Sequence, residues 1–192
     1  MDRELSAVAG RTIEQIVARQ IQERYAVVLT ANIETSGRHG PRLEGGNVTT
    51  AITSLADFQF YGKRHGWMEV KAKSRANHWR IRDRDEHGID ANKFEEYCRL
   101  QVETGLPVYL LICEYATGTL LMADVNTLRT SGVARADTWP GNGKRAIHFD
   151  RRAFSLVGTF SAPNDDLTRL SIAWDWDALN SFLSQMELFS DY

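Results

Sequence analysis

Residues 55–84 read LADFQFYGKRHGWMEVKAKSRANHWRIRDR, and the order of residue types in that stretch sets the expected fold. Two apolar runs, Phe58-Gln59-Phe60-Tyr61 and Trp67-Met68-Glu69-Val70-Lys71-Ala72, flank the basic loop Gly62-Lys63-Arg64-His65-Gly66. Strand-forming residues on both sides of a glycine-bounded loop predict a hairpin. Successive side chains of a strand point to opposite faces, so Glu69 and Lys71 share one face while Met68 and Val70 share the other. Asp57 stands where the first strand begins. A hairpin brings it beside Glu69 with Lys71 on the same side, and two carboxylates then converge with one amine.

Such a trio suits hydrolysis of a phosphodiester, which needs charge stabilised on the phosphate and a hydroxide formed near neutral pH. A hard divalent cation, Mg²⁺ or in its place Mn²⁺, supplies both: it takes carboxylate oxygens, keeps some of its waters and lowers the pKa of one. Asp57 and Glu69 are the expected ligands, with the main-chain carbonyl of Val70 as a third. Lys71 would orient the attacking water or neutralise phosphate oxygens. A free lysine titrates at about 10.4, so positioning and charge stabilisation fit it better than proton abstraction. Taken alone, an Asp followed by Glu-x-Lys is a common pattern, and a Glu/Lys pair on a strand is usually a solvated face. Strand placement, apolar neighbours and the basic residues that follow set this instance apart.

Charge supports a local anionic partner. The net charge of the 192 residues is only −2, yet residues 61–84 hold eight Lys or Arg against two acids, while residues 150–192 hold three against seven. Phosphate contacts are made by clustered Lys and Arg, and this cluster coincides with the site. Lys73, Arg75, His78, Trp79, Arg80 and Arg82 interleave an aromatic with basic groups, a composition suited to backbone contact and stacking on a base or sugar. Length fits one domain, with 1–113 as its core and 114–192 as an extension packed on the same unit. No apolar run is long enough to span a membrane. The N-terminus carries acids early without a continuous apolar stretch, which points away from a signal peptide and towards the cytosol. Cys98 and Cys113, the two cysteines, sit in apolar segments and read as buried thiols.

Around the hairpin, residues 3–24 predict an amphipathic helix, with Leu5, Val8, Ala9, Ile13, Ile16, Val17 and Ile21 at helical spacing and Glu14 on the flank of the stripe. Tyr25–Ile33 reads as a strand. The glycine-rich segment 36–47 reads as a mobile loop in which Arg38, His39 and Arg42 are candidates for a backbone phosphate. His87 reads as a loop histidine, either near the metal and substrate or capping local structure. Asp90 is an expected N-cap and Gly105 a stop for a helix over 91–104, whose Tyr97 and Gln101 lie one turn apart as accessory candidates. Val108–Cys113 is a continuous apolar run, as in a strand buried on both faces, and strand–helix–strand order implies a parallel pair. Residues 129–145 read as loop, Ala146–Phe149 and Phe154–Phe160 as a hairpin, and Asp175–Phe189 as a closing helix with Leu179, Phe182, Leu183 and Met186 inward.

The order helix, strand, strand with Asp57, strand with Glu69-x-Lys71, helix, strand resembles the PD-(D/E)XK nuclease superfamily, over roughly residues 10–113. The resemblance implies an α/β (α+β), restriction-endonuclease-like core: a mixed central sheet flanked by helices, here with extra C-terminal strands and a terminal helix. It implies metal-dependent cleavage of DNA, double-stranded or branched, in recombination, repair or restriction, with Asp57 and Glu69 as metal-binding carboxylates and Lys71 as the motif lysine. Glu14 would match the first-helix glutamate that many resolvase-like members add to the metal site. Related enzymes often dimerise, so a homodimer is among the implied arrangements. Ala56 stands where the motif's name has proline, a position that shapes the backbone and contributes no chemistry. Two other readings fit the same residues: a nuclease acting on RNA or on nucleic-acid ends, and a non-catalytic nucleic-acid-binding module that kept the fold.

Overall fold

The computed structural model describes residues 3–29, 42–44, 52–54, 56–73, 75–138, 143–161 and 171–187. Arg38 and His39 lie outside them, as do the side chains of Leu5, Val8, Ala9, Arg42 and Met186. In chain order come α1 (Arg3–Ile21), β1 (Ala26–Leu29), β2 (Arg42–Glu44), β3 (Ile52–Ser54), β4 (Phe58–Tyr61) and β5 (Gly66–Lys73). There follow β6 (Asn77–Trp79), β7 (Arg84–Asp90), α2 (Ala91–Thr104), β8 (Val108–Glu114), β9 (Thr119–Asp124) and the short turn α3 (Val125–Thr127). The chain closes with β10 (Val133–Thr138), β11 (Arg145–Asp150), β12 (Ser155–Ser161), β13 (Ser171–Trp174) and α4 (Trp176–Glu187).

The hairpin forms as read, β4 antiparallel to β5 with Phe58 opposite Met68. Gly66 opens β5 where two segments nearly touch: a Cβ there would lie 2.8 Å from the Tyr109 ring and 2.9 Å from the Pro107 carbonyl oxygen. The Asp90 side chain caps α2 by accepting from the backbone N–H groups of Asn92 and Lys93. Gly105 ends that helix at φ +65°, a left-handed conformation open to glycine, and its N–H donates to the Gln101 carbonyl. β8 is buried at every position and runs parallel to β5, Glu69 opposite Leu110. The elements that carry the Glu-x-Lys resemblance therefore stand in the expected order.

The central sheet has seven strands in the order β1-β4-β5-β8-β9-β12-β13, with β5–β8 parallel and its other pairs antiparallel. Strands from the C-terminal part thus continue the same sheet. On one face, Ile13 and Val17 of α1 and Leu179, Phe182 and Leu183 of α4 pack on Met68, Val70, Leu111 and Met122. On the other, Phe94, Tyr97 and Leu100 of α2 join Trp67, Leu110, Ile112, Leu121, Phe149 and Phe154. The architecture is mixed α/β: a mixed sheet flanked by helices, with extra C-terminal strands and a terminal helix.

A second sheet, β10-β11-β7-β6, departs from the sequence reading. Residues 129–145 contain strand β10, and the basic segment after Lys73 folds into β6 and β7. Ala146–Phe149 and Phe154–Phe160 are not a hairpin: β11 pairs with β7 and β10, whereas β12 pairs with β9 and β13. The 3₁₀ turn Arg151–Ala153 carries the chain from one sheet to the other. Cys98 is half-buried and Cys113 buried, both as free thiols. Among the described residues no helix is long and apolar enough to cross a membrane.

Candidate active site

Met68 and Val70 turn towards α1, so the alternation of β5 turns Glu69 and Lys71 towards the opposite layer. Glu69 is only 4% exposed. Its Oε1 accepts from two donors, the Lys71 ammonium and, at 2.5 Å, the hydroxyl of Tyr97 on α2. Tyr97 is itself 1% exposed, so its hydroxyl is fixed by packing. Asp57, in the residue before β4, accepts at Oδ2 from the Val70 N–H at 2.7 Å. Neighbouring strands thereby bring Asp57, Glu69 and Lys71 into one half-buried cluster, and the helix behind them adds Tyr97.

The electrostatics record how tightly these groups are pressed together. Burial raises the Asp57 pKa most, and the Glu69 and Glu14 carboxylates push it further; Lys71 and the Val70 N–H oppose them, and the result is about 8. Burial alone would lower the Lys71 pKa. The negative charges of Glu69, Asp57 and Glu14 outweigh that and hold it up at about 12, so Lys71 is a cation at neutral pH. Lys73, two residues on, is lowered by burial and then by Lys71. Glu14 sits half-buried on α1, its charge felt by both Asp57 and Lys71. Among the described residues, however, no three His, Cys, Asp or Glu side chains stand together as a metal-binding group.

The other candidates lie at varying removes. Arg75, His78, Arg80 and Arg82 are exposed along β6 and its turn, and His78 comes within 3.1 Å of Asp85 and 3.4 Å of Asp83. The Trp79 ring already carries the guanidinium groups of Arg84 and Arg135, at 4.7 and 5.1 Å from its centroid. Gln101 is placed at the other end of β5: its Oε1 accepts from the N–H of Val108, the residue opposite Trp67. With Arg64, His65, Pro107 and Tyr109 it lines a cleft of about 690 Å³. His87 is not a loop residue. It is buried on β7 with Nε2 2.9 Å from Glu114 Oε1.

That last contact belongs to a network the sequence reading missed. Glu114, at the end of β8 beside Lys73, accepts from Arg151 Nε and Nη2 at 3.0 and 2.9 Å and from the hydroxyls of Thr117 and Thr119. Glu86, also fully buried, accepts from Arg84 and Arg135, each at 2.9 Å. Three arginines and two buried carboxylates thus stand beside the cluster, and the His87–Glu114 contact joins the two sheets. An acid at the end of an unbroken apolar strand was the one sequence signal for Glu114.

No family profile matches the chain, and no curated protein does. Among solved structures, it is similar to Hjc, a Holliday junction resolvase from Archaeoglobus fulgidus, at 12% identity and a TM-score of 0.42, over 75% of this chain and 89% of that one. It is also similar to a nuclease from a fusselovirus, at 12% identity and a TM-score of 0.40, over 80% of this chain and 84% of that one.

Proposed function

We propose that this protein is a divalent-metal-dependent nuclease that hydrolyses phosphodiester bonds in DNA, with double-stranded or branched DNA as its substrate class. The observation that carries the reading is the convergence of Asp57, Glu69 and Lys71 on adjacent strands, with Asp57 held at about 8 by burial and by the carboxylates around it. One ammonium does not compensate these carboxylates. Hard oxygen donors under mutual repulsion in a half-buried cluster are what a divalent cation fits.

Asp57, Glu69 and the Val70 carbonyl would hold Mg²⁺ or Mn²⁺, with the charge of Glu14 on α1 felt at Asp57 and Lys71. When bound, the cation supplies a water of lowered pKa and positive charge against the phosphate. Lys71, cationic and paired with Glu69, offsets charge on the phosphate oxygens and aims the attacking water; at about 12 it is no general base at neutral pH. The Asp57–Val70 hydrogen bond ties Asp57 to β5 beside Glu69, which supports a shared role for the two carboxylates. Lys73 and the arginines of the β6 segment hold the strand being cut.

Tyr97 fixes the orientation of Glu69, and groups that orient a ligating carboxylate are typically worth 10–100-fold in metal affinity. Tyr97→Phe should weaken Mn²⁺ binding by about tenfold by calorimetry and lower Tm by a few degrees, since Glu69 loses one of its two donors; unaltered affinity would remove Tyr97 from the site. The function itself is tested on linear, circular, single-stranded and branched DNA, with and without Mg²⁺ or Mn²⁺. Metal-dependent cutting that is lost in folded Asp57→Ala, Glu69→Ala and Lys71→Ala is expected. A wild type that binds DNA but cuts neither DNA nor RNA would instead be a binding module.

A further inference from the structure

The chain beyond β5 forms a hairpin with an exposed turn, in which Ile81 has no part in the hydrolytic site. β6 and β7 pair as Asn77↔Glu86, His78↔Asp85 and Trp79↔Arg84, and residues 80–83 form the turn between them. The Arg82 N–H closes that turn on the Trp79 carbonyl at 3.2 Å, and Asp83 takes φ +46°. At its apex stands Ile81, 83% exposed and the most exposed large hydrophobic side chain among the described residues, between the exposed Arg80 and Arg82. A single exposed apolar residue is ordinary on a protein surface. An isoleucine at the tip of a stiff arm between two arginines is a different matter.

The arm is stiff because its base is locked. Arg84 and Arg135 stack on Trp79 while both donate to the buried Glu86, and β7 is held on its other side by β11. We infer that this hairpin is a DNA-binding arm that inserts Ile81 into a base step of duplex DNA whose stacking is interrupted, with Arg80 and Arg82 on the phosphates at either side. Apolar wedges at a groove unstack a base step and kink the duplex, and a step already broken by a mismatch, nick or branch costs less to open. The flanking guanidinium groups complement phosphate and would repel a basic partner. Ile81 lies ten positions beyond Lys71, a span of at most about 35 Å, roughly one turn of duplex. One DNA molecule can therefore meet both the arm and the cluster, a placement that rests on the nuclease reading.

The test uses the full chain in metal-free buffer, so that no hydrolysis intervenes, with a short duplex and the same duplex carrying a central mismatch beside 2-aminopurine. Ile81→Ala should lose roughly ten- to a hundredfold in affinity for the mismatched duplex, the worth of burying one isoleucine, and should abolish the rise in 2-aminopurine fluorescence. Its affinity for the intact duplex should stay within about twofold, since that binding rests on phosphate contacts. Arg80→Ala and Arg82→Ala should weaken both duplexes alike and each reduce the salt slope by about one. Ile81 is exposed, so its variants are expected to melt with the wild type. Equal binding of the mismatched duplex by wild type and Ile81→Ala overturns the arm, as does failure of the wild type to bind either duplex. If cutting with Mg²⁺ persists in that case, the nuclease reading stands without the arm. Selective loss on Ile81→Ala in a protein that never cuts leaves the arm and removes the nuclease.

Discussion

Asp57→Asn is expected to stabilise the metal-free protein while removing its metal-dependent chemistry. The carboxyl group titrates at about 8 in the folded chain against an ordinary 3.8. Its folded value lies above its unfolded one, so the fold favours the protonated form, and the destabilisation grows as pH rises from about 4 to about 8 and then levels off. Asparagine carries no such charge, and its Oδ1 can still accept from the Val70 N–H. The variant should gain a few kcal/mol at pH 8, roughly 5–10 °C in Tm, and almost nothing at pH 4. Saturating Mg²⁺ should raise the wild-type Tm and leave that of Asp57→Asn unchanged, because a ligand stabilises only the state that binds it. A variant less stable than wild type at pH 8 would show that Asp57 is a structural group and not one strained in readiness for a cation.

Glu114→Gln is expected to act in the opposite direction. Glu114 is 0% exposed. Burial alone would raise its pKa, but hydrogen bonds from Arg151, Thr119 and Thr117 and the nearby His87 more than reverse that and hold it at about 2. Here the folded value lies below the ordinary 4.5, so the stabilisation is fully present above about pH 4.5 and is lost as pH falls towards 2. The glutamine variant leaves Arg151 and His87 facing a neutral group. It should lose about 3 kcal/mol at pH 7, roughly 6–12 °C in Tm, and its stability should fall less steeply than the wild type's between pH 4.5 and 2. Acid melting curves of the two proteins that run parallel would contradict the assignment.

The two carboxylates also show what the sequence could and could not reveal. The nearness of Asp57 and Glu69 was legible because a hairpin with alternating strands is a local pattern: Phe58-Gln59-Phe60-Tyr61 and the strand from Gly66 pair across four residues of loop. The caps of α2 were legible for the same reason, since Asp90 and Gly105 act on their own backbone. β8 announced itself as an unbroken apolar run. The second sheet did not, because its strands carry charge in place of alternating hydrophobics. β7 reads Arg-Asp-Glu-His-Gly-Ile-Asp, and the burial of Glu86 is made tolerable by Arg84 together with Arg135, 49 residues away. Strand partners of that kind are set by tertiary contacts and leave no local period. The mistaken hairpin across Arg151–Ala153 has the same origin, as two short apolar strands joined by a tight turn look alike whether they pair or part. Tyr97 stood in the right helix by periodicity, but its bond to Glu69 needed the sheet beneath it.

Binding of Mn²⁺ to the folded chain at pH 8, read by the loss of free-ion EPR signal, tests the central claim most directly. It separates the cation from the choice of DNA. Wild type should take up the ion saturably, and Asp57→Asn and Glu69→Gln should each lose that uptake while Lys71→Met retains it. Uptake unchanged in both carboxylate variants, or none by wild type at millimolar Mn²⁺, would mean that the Asp57–Glu69 pair is not a metal site and that the nuclease account fails at its foundation.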